Sequence, residues 1–74
     1  MSYTETLDAW LSRDGNTVSE LAKAVDTHQP NISRYRAGRF PDSDMARKIH
    51  DATGGEVSFD LWRTEFLEKS GLAA

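Results

Sequence analysis

Between positions 28 and 39 the chain gathers Gln29, Asn31, Ser33, Arg34, Arg36 and Arg39, with Pro30 among them. Gln can pair bidentately with adenine and Arg with guanine, while Pro30 offers apolar contact of the kind a thymine methyl accepts. Guanidinium groups on the flanks of such a set suit phosphate oxygens better than bases. The chemistry implied is recognition through hydrogen bonds and charge. Nothing comparable points to catalysis, because the twelve carboxylates show no acid/base pairing and His28 and His50 lie far in sequence from any nucleophile or second ligand. Without cysteine, neither a disulfide nor a cysteine-based zinc site is available, and no cofactor is expected.

A helix is needed to aim these groups. At roughly 100° per residue, Ile32 and Tyr35 define a buried side, and Gln29, Pro30, Ser33, Arg34 and Ala37 fall opposite. Pro30 sits in the first turn, where its missing N–H costs little, and Gly38 closes the segment. Upstream, Thr17 and Glu20 form a capping box ahead of Val18, Leu21, Ala22 and Val25 at helical spacing. Two short helices joined near Asp26 and Thr27 make a helix-turn-helix over 17–38. Ala22 supplies the small residue where the helices cross, and Asp26 a turn residue that tolerates left-handed backbone.

Around this unit the pattern predicts an all-α domain of about five helices. The first runs from about Tyr3 to Arg13, with Ser2 and Glu5 as a capping box and Leu7, Trp10 and Leu11 on one face. The fourth runs from about Asp42 to Thr53, with Met45, Ile49 and Ala52 on one face, and Gly54-Gly55 ends it. The last, from about Phe59 to Ser70, takes Ser58 as cap and Gly71 as stop. Phe59, Trp62 and Phe66 form its core stripe, and Leu61 and Leu67 fall off that stripe. Five large apolar groups exceed what one face can bury, so Leu61 and Leu67 are candidates for a two-fold interface.

In the spacing of Ala22, Val25, Asp26, Gln29 and Ile32 the sequence resembles the DNA-binding domains of lambdoid phage repressors and Cro, the XRE family. The similarity runs from about Leu7 to Trp62 and is tight over 17–38. Asp26 stands where the family has Gly, and His28 where it usually has the Ser or Thr that caps the second helix of the motif; Thr27 is the alternative cap. The resemblance implies base contacts from Gln29, Pro30, Ser33 and Arg34, with Arg34 the leading reader. Phosphate contacts are expected from Asn31, Arg36, Arg39 and His28, and from Thr17 and Ser19 at a helix N-terminus. Relatives of this kind end in either strand or helix, which leaves 56–74 open between the two.

The 74 residues carry a formal charge of −3, an odd value for a DNA binder, but the charge is unevenly spread. Residues 1–27 and 49–74 each hold two basic and five acidic groups, whereas residues 28–48 hold five basic and two acidic. Local potential governs docking more than the sum does. One small domain is expected, placed in the cytoplasm because no targeting signal or membrane-length apolar run is present. For that reason the Asn31-Ile32-Ser33 match to a glycosylation acceptor is read as coincidence. The function expected is that of a Cro-like phage or prophage repressor, a homodimer on near-palindromic double-stranded DNA, with no small-molecule effector. The alternative is a helix-turn-helix that binds protein, as an antitoxin or a polymerase-associated accessory factor.

Overall fold

Tyr3, Leu7 and Leu11 recur at the spacing of one helical stripe, and all three are buried. In the computed structural model, which describes residues 2–69, they lie on α1 (Tyr3–Leu11). Four further helices follow: α2 (Val18–Ala24), α3 (Gln29–Arg36), α4 (Ser43–Ala52) and α5 (Phe59–Lys69). Among the described residues there is no strand, so the architecture is a small all-α bundle. The question left open for the C-terminal part resolves to helix over 59–69. The expected end at Ser70 and the Gly71 stop lie outside the described residues.

Side-chain caps start four of the five helices, three of them at the expected residues Ser2, Thr17 and Ser58, while Asp42 caps α4 from outside rather than opening it. The Glu5 N–H donates to Ser2 Oγ, Glu20 N–H to Thr17 Oγ1, Met45 N–H to Asp42 Oδ1 and Leu61 N–H to Ser58 Oγ, all at 2.8–3.1 Å. Each such cap is worth about 1 kcal/mol. The first helix stops at Leu11 rather than Arg13. Ser12 folds its hydroxyl back onto the Asp8 carbonyl at 2.8 Å, and Asn16 Nδ2 donates to the Trp10 carbonyl at 2.8 Å. The Asp8 carbonyl also accepts from Ser12 N–H, and the Asn16 bond satisfies the Trp10 carbonyl that another helical turn would have used.

The helices α2, α3 and α4 share one way of ending, in which a left-handed residue lets the next N–H reach back to a carbonyl five positions earlier. Thr27 N–H reaches the Ala22 carbonyl at 2.8 Å, Arg39 N–H the Arg34 carbonyl at 3.0 Å, and Gly55 N–H the His50 carbonyl at 2.8 Å. Gly38 takes the left-handed position after α3 at φ 118°. After α2 that position falls to Asp26 at φ 55°, the one non-glycine with positive φ among the described residues.

The core joins Tyr3, Leu7 and Leu11 to Leu21, Ala22, Val25, Ile32, Ala46, Ile49, Val57 and Trp62. Accordingly α3 packs on α2 and α1, and α4 packs on α2 and α5. A train of aromatic rings runs from Phe59 through Trp62, Phe66 and Phe40 to Tyr3, with successive centroids 4.9–6.3 Å apart. Trp62 Nε1–H donates to the Pro41 carbonyl at 2.9 Å, which fixes α5 beneath the segment leaving α3. At the other end, Phe59 N–H donates to His50 Nδ1 at 3.0 Å. Buried Thr53 both donates to the Ile49 carbonyl and accepts from Val57 N–H.

Candidate nucleic-acid interface

The second helix of the motif, α3, is held from below by Ile32, which is fully buried, and by half-buried Tyr35. The buried pair leaves Gln29, Pro30, Ser33, Arg34 and Ala37 together on the exposed side. Ala22, 3 % exposed, permits the close approach of α2 to α3. With the Asp26 turn and the Gly38 stop at its two ends, α3 is a short helix with one polar face.

His28 occupies the cap position of α3 with extended backbone, and its side chain makes no capping hydrogen bond. Thr27 does not substitute for it, because the Thr27 hydroxyl accepts instead from Asn31 Nδ2 at 2.8 Å. The start of α3 therefore rests on Pro30 and on the closure of the preceding turn. His28 and Ser19 are both exposed. Thr17 is exposed as well, with its oxygen engaged by Glu20 N–H.

Besides Thr17, two of the expected phosphate contacts have partners inside the protein. Arg36 donates from Nε and Nη2 to Asp8 Oδ1 of α1, at 3.0 and 2.6 Å, so it bridges α3 to α1. As arranged, it is an ion-paired residue and not a free clamp. Asp8 lies 28 residues away in sequence, and the helical period of α3 carries no information about it. Asn31 is the second case, since its Oδ1 accepts from Arg34 Nη1 at 3.1 Å. Sequence reasoning missed this chain of contacts, although the spacings 27/31 and 31/34 are those at which helical neighbours meet.

Among the described residues Arg39 has no ion-pair partner, and it is exposed beside Arg34. Arg34, Arg39, Asn31, Tyr35 and Asp42 line a polar cleft of about 330 Å3 between α3 and the start of α4. Burial pushes the Tyr35 phenol above its ordinary range, and Asp42 adds to the shift, while Arg39 and Arg34 oppose it. Tyr35 thus presents a neutral hydroxyl beside two guanidinium groups. The sequence reading gave Tyr35 a packing role only.

The two interface candidates on α5 differ in placement. Leu61 packs against the protein's own core, so it is largely spent inside the monomer. Leu67 is half-buried, and next to it Phe66 is 39 % exposed, the large apolar side chain most open to solvent among the described residues. Among the described residues, no three His, Asp or Glu side chains converge as a metal site requires, and no helix is long and apolar enough to cross a membrane. No family model, curated protein or solved structure matches the chain.

Proposed function

We propose that this protein binds double-stranded DNA sequence-specifically as a homodimer and regulates transcription, with α3 lying in the major groove. The carrying observation is the two-sidedness of α3: Ile32 is fully buried, while Gln29, Pro30, Ser33 and Arg34 share the exposed face. On this reading Arg34 pairs with a guanine and Gln29 with an adenine. Arg39 and the Tyr35 hydroxyl meet the adjacent phosphates, with Ser19 and Thr17 on the far side of the groove. The resemblance of the residue pattern to that of lambdoid repressors supports the same assignment, and with it we propose a prophage setting and a cytoplasmic location.

One helix-turn-helix spans only a few base pairs, so a two-fold dimer with recognition helices about 34 Å apart is the usual solution. Exposed Phe66, with Leu67 beside it, favours α5 as the dimer face. Selection of bound duplexes from a random pool is the decisive experiment. The expected result is a near-palindromic site with half-sites about one DNA turn apart. Recovery of no consensus, together with binding that is flat in salt, would overturn the reading.

A protein-docking role is the second reading, favoured by the Asp8 carboxylate that neutralises Arg36 beside α3. Arg34→Ala separates the two, since DNA readout predicts a loss of about 1–3 kcal/mol with relaxed specificity at one base position.

A further inference from the structure

We propose that Asn31 is a specificity-determining positioning residue, holding the Arg34 guanidinium through a three-residue relay anchored on Thr27. The inference rests on the reading of α3 as the DNA-recognition helix. Thr27, Asn31 and Arg34 follow one another along a single stripe, joined by contacts of 2.8 Å (Asn31 Nδ2 to Thr27 Oγ1) and 3.1 Å (Arg34 Nη1 to Asn31 Oδ1). Thr27 and Asn31 are half-buried and Arg34 is exposed, so the relay runs from the turn out to the groove face.

Donor and acceptor chemistry sets the direction of the relay. A guanidinium only donates, so the Asn31 carboxamide must turn its oxygen toward Arg34. Its NH2 group then faces Thr27, whose oxygen accepts. The amide cannot flip without setting an N–H against the arginine, and Thr27 is itself fixed by the bond from its N–H to the Ala22 carbonyl at 2.8 Å. Orientation therefore passes from the left-handed turn at Asp26 to the reading side chain. Nη1 is engaged, and the Nε and Nη2 donors of Arg34 stay open for the N7 and O6 acceptors of a guanine. An arginine pre-set in this way loses less side-chain freedom on binding than a free one.

The relay also takes Asn31 out of the group of phosphate contacts. Asn31 acts through Arg34, and the two residues should behave as one unit in a double-mutant cycle.

The test is selection from a random duplex pool with the native protein, Asn31→Leu, Thr27→Val, Arg34→Ala and the Asn31→Leu/Arg34→Ala double variant. The native protein is expected to favour guanine at the position that Arg34→Ala loses. Asn31→Leu should weaken that preference about fivefold, the worth of one hydrogen bond, while other positions and the salt dependence hold. Thr27→Val, nearly isosteric, should weaken it less, and it keeps the test alive if Asn31→Leu does not fold. The double variant should match Arg34→Ala alone. Additive losses, or a loss at a different base position, would mean that Asn31 reads DNA itself and would overturn the proposal.

A second readout needs no DNA. The Arg34 Nε–H order parameter in the free protein should fall in both Asn31→Leu and Thr27→Val, and unchanged order would refute the tether. If the native protein selects no sequence at all, the DNA reading fails and the proposal fails with it. That outcome is distinct because it appears before any substitution is made.

Discussion

Replacing Asp8 by alanine is expected to make DNA binding steeper in salt, because it releases Arg36. In the folded protein Arg36 gives two donors to one Asp8 oxygen, with 38 % of the arginine side chain and 52 % of the aspartate side chain exposed. So open a pair is worth only about 0.2–1 kcal/mol, and losing it should leave the fold intact. The freed guanidinium can then neutralise one more phosphate, adding about 0.9 to the slope of log K against log salt. Over a fourfold rise in salt, 0.9 corresponds to roughly a 3.5-fold steeper loss of affinity. Arg36→Ala in the native background should leave the slope unchanged, since Asp8 already holds that charge. In the Asp8→Ala background it should remove the added 0.9. Fluorescence anisotropy on the selected duplex, from 50 to 200 mM salt as commonly used for such slopes, measures all four proteins. A slope that falls on Arg36→Ala alone would show that phosphate displaces Asp8, and the assignment of Arg36 to α1 in the bound state would be wrong.

Three further outcomes concern stability. The Tyr3 hydroxyl is buried with no hydrogen-bond partner among the described residues, and burial holds its phenol well above the ordinary range, with Tyr35 adding to the shift. A raised folded-state value contributes stability that is complete below the unfolded value near pH 10 and lost above it, at up to about 1.4 kcal/mol per pH unit. Tyr3→Phe should therefore resist alkaline unfolding and melt no lower than the native protein at neutral pH; a clear drop in Tm would show that the hydroxyl has a partner. Asp26 holds φ 55°, so Asp26→Gly should stabilise by about 0.5–1 kcal/mol and β-branched Asp26→Val should destabilise by at least as much. Denaturant titrations in which the two variants agree would count against a left-handed turn. Ala22→Leu should cost about 1–3 kcal/mol by overpacking between α2 and α3, and an unchanged Tm would mean that the two helices do not meet there.

Most helix starts were legible, although the equally local Thr27–Asn31–Arg34 contacts and the early end of α1 were not. Ser2, Thr17 and Ser58 mark helix starts because a side-chain oxygen three residues ahead of a free N–H is a purely local relation. The positive φ at Asp26 follows in the same way from the turn that must lie between two short amphipathic helices. The polar face of α3 is legible too, because a buried Ile32 fixes the rotation of every other residue on that helix. The expected Gly71 stop of the last helix lies outside the described residues.

The sequence by itself determined five helices, the caps of the first, second and last, and the division of α3 into a core side and an open side, all of which depend on residues within a turn or two of each other. Only the tertiary structure decided which of the arginines stay free. Asp8 reaches Arg36 across 28 residues because α1 packs beside α3, and no periodicity within either helix encodes that crossing. Leu61 is likewise claimed by the monomer core because α5 lies against α4, whereas Phe66 keeps an open edge. Charge pairing and burial between helices are settled by how the helices pack, and packing is a property of the whole chain at once.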